Sequence, residues 1–519
     1  MRFPVHKKNF MSTVGWFAAA LTSATLASCA SSGSGSGGES LEVTKGVVIQ
    51  NATIVNTRDG SLLPRMSIVI DDGKIQKITA IRSIRTSGSA LSIDASGKFV
   101  VPGFLDMHTH AMAAVDQQPS HWPLMIANGI TGIREMGGSE ALIKRAQQLN
   151  ADAAAGRIDA PEVLQIPGDI FVGRIFAPAL AAMQVQQQKA MGAGFVKIAG
   201  SSREVTQAIL AEARNQGLGV AGHLVPGVSA VESSNAGWRA IEHLGSGMGI
   251  LLDCAGDEAS IRQSVLRGEG AKPPFPPTFI LTPMLYRALD APFYQRIMDG
   301  YVDSKCQAVA KVLAGNETWQ VPTLIRVRTM VFSDDPLYRA DPNLMYVDKT
   351  SRALWEKLGQ EYSTNVSPAA AATFRQYYGA QQKLLKLLKR SGVKMLAGSD
   401  IGGIWVIPGF SLHQEFGELA ASGLTPLEVL QMTALNGAEF LHREATMGTV
   451  DEGKNADLVL LDANPIESVA HLARISAVVL KGKYFSKLAL DKLKSDVAEA
   501  YKNQPLKNLS AALDPTHVH

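Results

Sequence analysis

Four histidines, one lysine and one aspartate carry the chemistry that the residue types and spacing of this chain can support. His108 and His110 close the run Val101-Pro102-Gly103-Phe104-Leu105-Asp106-Met107, an apolar stretch with the character of a strand. Residues two apart on an extended strand point to the same face, so both imidazoles can reach one divalent ion. Neutral imidazole nitrogen is a good ligand for zinc and similar metals. Alone, a His-x-His pair is weak, because such pairs also arise by chance on surfaces. Its company strengthens it: His223 ends Leu218-Gly219-Val220-Ala221-Gly222, His243 follows Ala240-Ile241-Glu242, and Asp400 closes Val393-Lys394-Met395-Leu396-Ala397-Gly398-Ser399. Each is a metal-ligating type at the carboxy-terminal end of an apolar run. Lys197 is the odd member, inside the apolar strand Gly194-Phe195-Val196-Lys197-Ile198-Ala199. An unpaired buried ammonium is costly, so an inward-facing lysine needs a partner or a changed charge; facing outward, it would pair with a carboxylate.

The elements that must position these groups alternate through the centre of the chain. Between residues 101 and 445, apolar runs such as Ile130–Ile133, Glu162–Ile166, Phe195–Ala199, Leu218–Ala221, Val321–Leu324 and Val393–Ala397 are each followed by helical or loop stretches. Repeated strand–helix units predict a parallel α/β architecture, and a (β/α)8 TIM barrel fits the length and count. In such barrels the rim at the carboxy-terminal ends of the strands carries the chemistry. One connection, about 246–318, is an insertion with a Pro-rich segment at Lys272–Pro277 and a helix expected from Met284 to Leu313. It reads equally as a wall or lid at the barrel mouth and as a surface insertion without a catalytic role. The flanks differ from the centre. Residues 45–100 hold short β-branched runs, Gly46–Ile49, Ala52–Val55, Met66–Ile70 and Lys74–Ile78, with a hairpin turn at Asp71-Asp72-Gly73. A similar texture returns over 446–485, so a small β-sandwich domain built from both chain ends is expected. Residues 486–519 read as a polar, helix-prone tail.

Of the 519 residues, 46% are hydrophobic and 19% charged, the profile of a soluble globular enzyme. The formal net charge of +3 is accounted for by Arg2, Lys7 and Lys8. These belong to an export signal, residues 1–28: a basic head, then the apolar run Val14–Leu26, too short to span a membrane comfortably. The remainder balances, so neither nucleic acid nor electrostatic membrane binding is expected. Leu26-Ala27-Ser28-Cys29 resembles the lipobox of bacterial lipoproteins. That resemblance implies lipidation of Cys29, a Ser/Gly tether over 29–44, and a membrane-anchored protein facing the periplasm or exterior. Cys254 and Cys306 remain in the body, either as a disulfide, which an oxidising compartment permits, or as two buried thiols.

The ordered set of strand-end His-x-His, Lys, His, His and Asp resembles the amidohydrolase superfamily, most closely its imidazolonepropionase-like and Xaa-Pro-dipeptidase-like members. The resemblance covers about residues 45–485. Val101–His110 is similar to the opening motif of the family, Gly129-Ile130-Thr131-Gly132-Ile133-Arg134-Glu135 to its second strand, and Gly423–Glu428 and Gly448–Val459 to its closing helix and return to the sheet domain. It implies that His108 and His110 hold one metal with Asp400, that His223 and His243 hold a second, and that a carbamylated Lys197 bridges the two, the metals most naturally being zinc. Two such ions, about 3.5–4 Å apart, imply attack of a metal-bridging hydroxide on an amide of a small peptide or cyclic amide, with Asp400 moving the proton.

Lactones and esters would fit the same site. Deamination is the rival within the superfamily, but His223 is followed by Leu224-Val225-Pro226-Gly227, with no acid to protonate a ring. A non-catalytic binding lipoprotein would normally have lost ligands, and none is missing. His413 and Glu415, shortly after the Asp400 strand, are weak candidates to line the mouth, and Arg326 and Arg328 to meet a substrate carboxylate; residues so placed more often serve packing or the surface. Arg134 is expected to serve a structural ion pair. A homo-oligomer is compatible with all of this.

Overall fold

The computed structural model describes residues 40–80, 83–114, 121–173, 177–270 and 283–506. The expected export signal, Cys29, most of the expected tether and the terminal His517 and His519 lie outside them. The first strands are β1 (Ser40–Val43), β2 (Val47–Val55), β3 (Leu62–Asp71), β4 (Lys74–Thr79), β5 (Ser83–Thr86), β6 (Leu91–Asp94) and β7 (Phe99–Pro102). There follow β8 (Phe104–Thr109), β9 (Ile130–Glu135), β10 (Glu162–Gln165), β11 (Phe171–Val172), β12 (Phe195–Gly200), β13 (Gly219–Gly222), β14 (Trp238–Glu242) and β15 (Trp319–Val321). The last are β16 (Leu458–Leu461), β17 (Ile475–Leu480) and β18 (Lys483–Ser486).

Strands from both ends of the chain share one mixed sheet, in the order β18-β17-β16-β7-β2-β3-β4 with β6 paired to β2. The join is the antiparallel pairing of β7 with β16, Leu458 opposite Pro102 and Leu461 opposite Phe99. Period-two alternation sends Ile49, Ile54, Ile68 and Ile70 into one buried cluster. It sends Val48 and Val69 into another, where they pack on Val43 of β1 and Ile84 of β5, which form a separate parallel pair. The two runs read as Gly46–Ile49 and Ala52–Val55 merge into the single strand β2, whose register shifts around Asn51, a residue at φ 62°. A bulge absorbs the extra residue there, so the apolar side chains on either side keep to the core. The hairpin at Asp72-Gly73 has both residues at positive φ, as a tight two-residue turn requires.

The centre is the eight-part barrel. Parallel ladders run β8-β9-β10 and β11-β12-β13-β14-β15, in which β10 and the two-residue β11 both neighbour β12 and share one position, making seven. A bridge from Pro167 to Phe195 joins them. Residues 394–401 take the eighth position between β15 and β8, held by single bridges and backbone hydrogen bonds instead of a ladder. Gln320 bridges Met395 and Thr109 bridges Ile401. Met107 N donates to Ala397 O at 2.9 Å, and Asp400 N to His108 O at 2.8 Å. Leu105, Met107, Phe195, Ala221, Ala240, Trp319, Val321 and Leu396 come from strands all round this ring and form one buried cluster, so they fill its centre.

Helices cover the outside. In Arg203–Asn215, Ser202 accepts from Val205 N at the start, and Val205, Ile209, Leu210 and Ala213 form the buried stripe. In Pro426–Met432, Thr425 and Glu428 close a capping box. The helix expected over Met284–Leu313 is two helices, Ala291–Asp299 and Asp303–Gly315. They part at Tyr301, which bridges Ala255. Cys254 and Cys306 are joined by a disulfide that ties this insertion together. The strand read over Val321–Leu324 is shorter: β15 stops at Val321, and Leu324 begins the helix Leu324–Val331.

Candidate metal centre

His108 and His110, on and just past β8, both turn their Nε2 atoms to Asp400 Oδ1, at 3.3 Å and 3.5 Å. His243 follows β14, and its Nε2 lies 3.8 Å from Asp400 Oδ2. One ligand atom each from His108, His243 and Asp400 falls within a span of 4.8 Å, close enough for one cation. His223, just past β13, stands edge-on to His243 with ring centroids 5.0 Å apart. Lys197, on β12, brings its Nζ to 3.4 Å from His110 Nε2. Six side chains separated by up to 292 positions thus share one pocket, because parallel strands in a ring deliver their carboxy-terminal ends to the same rim.

Local backbone allows the approach. An added Cβ at Gly398 would fall 2.7 Å from the Cβ of His108, so only glycine lets that strand pass behind the imidazole. Asp400 at φ 56° and His243 at φ 55° are held in the left-handed region, which non-glycine residues adopt at a cost on the order of 1 kcal/mol. Two of the side chains that the pocket needs thus sit on strained backbone.

The electrostatics suit a cation. Burial drives the pKa of His110, His223 and His243 well below the ordinary histidine value, and Lys197 and Arg326 reinforce the shift. The rings are therefore neutral, with lone pairs to offer. Burial also lowers the Lys197 amine to about 8, an effect that Asp400, Glu242 and Glu135 partly oppose. Burial favours the neutral acid at Asp400, yet the positive charge around it, which with neutral histidine rings is above all the Arg326 guanidinium, holds it ionised, below the usual carboxylate range. His108 Nδ1 lies 2.7 Å from Glu242 Oε2, and an ionised carboxylate can only accept there. In the neutral ring that a metal ligand requires, this leaves a lone pair on His108 Nε2. This atom is wholly buried and without a hydrogen-bond partner among the described residues, although Asp400 Oδ1 is 3.3 Å away. Two lone pairs facing each other in a dry pocket are a fit for a cation between them.

The substrate-facing residues expected from the sequence are distributed differently. Arg326 is wholly buried, with its Nε 2.6 Å from Asp400 Oδ2. Arg328 is engaged by Tyr338 Oη at 2.7 Å and by Glu418 at 3.1 Å. His413 is not at the mouth. Its Nε2 meets Asn128 O at 2.9 Å and its ring packs edge-on to Phe104 and Phe416, at the amino-terminal ends of β8 and β9. Glu415 is buried too, accepting from Ile325 N at 2.7 Å at the start of the helix that carries Arg326. Both belong to the helix Phe410–Ala421, whose apolar face carries them inward.

Sequence reasoning missed Thr323, whose Oγ1 hydrogen-bonds His243 Nδ1, and Glu242, which pairs with both His108 and Arg134. Glu242 had left a signal: a carboxylate inside an apolar strand needs partners.

Residues 379–484 match the amidohydrolase family. Over 198 residues the chain is 27% identical to an adenine deaminase of Chelativorans sp. (strain BNC1), covering 34% of this chain and 32% of that protein. Over 127 residues it is 32% identical to an N-acetylglucosamine-6-phosphate deacetylase of Lysinibacillus sphaericus, covering 23% and 32%. The chain thus spans about a third of the length of these curated relatives. Among solved structures, a bottromycin amidohydrolase superposes with TM-score 0.65 at 19% identity, covering 88% of this chain and 90% of that one. A Xaa-Pro dipeptidase with bound methionine superposes with TM-score 0.56 at 17% identity, covering 85% and 100%. These likenesses are of fold: a barrel with a β-rich companion. One segment of the chain thus matches the amidohydrolase family, and the fold as a whole is shared with these solved structures.

Proposed function

We propose that this protein is a metal-dependent hydrolase that cleaves an amide C–N bond in a short peptide or cyclic amide. The observation that carries this reading is the convergence of His108, His110 and His243 on the two oxygens of Asp400, with Lys197 beside His110. In this reading His108, His110 and Asp400 would hold one divalent ion and His223 and His243 a second, with Lys197, as a carbamate, an anionic ligand available to both. Zinc suits this donor set. Carbamylation adds carbon dioxide to the neutral amine and releases a proton, turning a buried ammonium into an anionic ligand.

Bound divalent ions supply Lewis acidity to a carbonyl oxygen and make a water acidic enough to attack at neutral pH. Asp400, ionised and buried, accepts the proton of the attacking water and returns it to the leaving nitrogen, so the amide yields a carboxylic acid and an amine. Thr323 and Glu242 hold His243 and His108 in orientation through their Nδ1 atoms. The names of the related proteins, a deacetylase, a dipeptidase and an amidohydrolase, support breakage of C–N bonds in small molecules.

Likeness to an adenine deaminase keeps deamination as the second reading. Against it, the residues after His223 are Leu224-Val225-Pro226-Gly227, without an acid. The Cys254–Cys306 disulfide supports an oxidising compartment, in keeping with export and anchoring through a lipid on Cys29.

Metal analysis of the purified protein, followed by assay on dipeptides (Xaa-Pro included), cyclic amides, lactones and adenine, with and without chelator, tests the proposal. The expected result is zinc in the protein and amide hydrolysis abolished by chelation and restored by zinc. Turnover of adenine alone favours the second reading. Chelator-insensitive turnover overturns both.

A further inference from the structure

We infer that Glu242 and Arg134 form a buried positioning pair that selects the tautomer of His108 and thereby presents its Nε2 lone pair to the metal. The inference rests on the metal-site reading above and deepens it, because neither residue is a ligand in that reading.

The geometry is a chain of three contacts. His108 Nδ1 lies 2.7 Å from Glu242 Oε2, Arg134 Nη2 lies 2.5 Å from Glu242 Oε1, and Arg134 Nε donates to Met107 O at 2.7 Å. All three side chains are fully buried. The residues come from β8, β9 and β14, so the chain of contacts ties together three barrel strands. It ends on the carbonyl immediately before His108. Arg134 is confined further by the rings of Phe195 and Phe440, 5.4 Å and 5.2 Å from its guanidinium carbon.

A purely structural purpose explains this poorly. A buried carboxylate–guanidinium pair loses solvation that its own attraction only partly returns, and apolar residues of similar volume often serve stability as well or better. What apolar residues cannot do is accept the Nδ1 proton. Arg134 donates to Glu242 Oε1 and leaves Oε2 to accept from His108 Nδ1, so a neutral His108 ring carries its one proton on Nδ1 and none on Nε2. The alternative tautomer would put N–H where the pocket offers the Asp400 carboxylate, satisfying both groups and closing the place of the cation. Carboxylates that orient metal-bound histidines act in this way, and losing one typically costs 10–100-fold in metal affinity.

The test uses the whole protein with Glu242→Gln, Glu242→Leu and Arg134→Met. Zinc affinity is measured by competition with a chromophoric chelator, and the tautomers by nitrogen NMR of metal-free protein labelled in histidine. The expected result is a 10–100-fold weaker zinc affinity in each variant, with His108 Nε2–H appearing in the spectrum of the glutamine variant. If the leucine variant does not fold, the isosteric glutamine variant carries the test. Variants that melt earlier yet keep wild-type zinc affinity and the wild-type tautomer overturn the inference and leave a structural pair. Should wild-type protein take up no zinc, the functional reading fails first, and the NMR comparison still decides whether Glu242 sets the tautomer.

Discussion

Arg326 Nε approaches Asp400 Oδ2 to 2.6 Å in a contact where neither side chain is exposed by more than 1%. A guanidinium is thus the positive charge closest to the carboxylate that the proposed metal also needs. Without metal and with neutral histidine rings, Arg326 is the main compensation for the buried charge. Removing one partner of a buried pair costs about 3–5 kcal/mol because the other charge is left unpaired. Arg326→Met is therefore expected to lower the stability of metal-free protein by about 3 kcal/mol, and saturating zinc to recover most of it. Thermal melts of both proteins with chelator and with zinc check this. Equal melting of the two chelated proteins would show that the contact is not compensating anything.

Asp400 is asked both to hold metal and to move a proton. Asp400→Asn keeps the shape and can still offer one oxygen, but cannot accept a proton at neutral pH. The expected loss is about 10²–10⁴-fold in kcat on the best amide substrate at saturating zinc, the usual range for a general base. A variant within about tenfold of wild type would assign the proton to another group.

Glu415 provides a pH test away from the ligands. Burial raises its pKa from 4.5 to about 8, against the hydrogen bonds from Ile325 N and Leu324 N. An acid whose pKa is higher in the folded state binds more protons there than when unfolded. Its contribution to stability is complete below about pH 4.5 and is lost as pH rises through about 8. The buried histidines, with lowered pKa values, act in the opposite sense, so the Glu415 contribution is read as a difference: between pH 5 and 8 wild type should lose at least about 1 kcal/mol relative to Glu415→Gln, both metal-free. Denaturant melts across this interval measure it. Parallel pH profiles would show that the carboxyl is already ionised in the fold.

The disulfide closes the insertion at residues 52 apart. Replacing both cysteines, Cys254→Ser with Cys306→Ser, is expected to cost about 2–4 kcal/mol by freeing the unfolded chain. Comparison of the double variant with wild type, each with and without reductant, isolates the bond. A reductant effect of equal size in the variant would place the sensitivity elsewhere.

The side chains that converge on Asp400 were legible because chemistry-bearing residues ended apolar runs. His-x-His after Val101–Met107 and Asp400 after Val393–Ser399 needed only strand period and the rule that barrel rims carry function. The eighth barrel segment was legible as an apolar run, although it is held by isolated bridges. His413 was misjudged for a physical reason. Proximity in sequence to Asp400 says nothing about direction, and thirteen residues of loop and helix are enough to carry a side chain from one end of the barrel to the other.

Local sequence determined which segments form strands, which histidines and carboxylates stand at their ends, and that a lysine lies inside an apolar strand. Those properties follow from side-chain alternation and burial cost, which act over a few residues. Only the tertiary structure decided that Glu242 turns to His108 and Arg134, that Arg326 faces Asp400, that Thr323 holds His243, and that the two cysteines pair. Such contacts join residues up to 134 positions apart, and their choice depends on the closure of the ring, which no local pattern encodes.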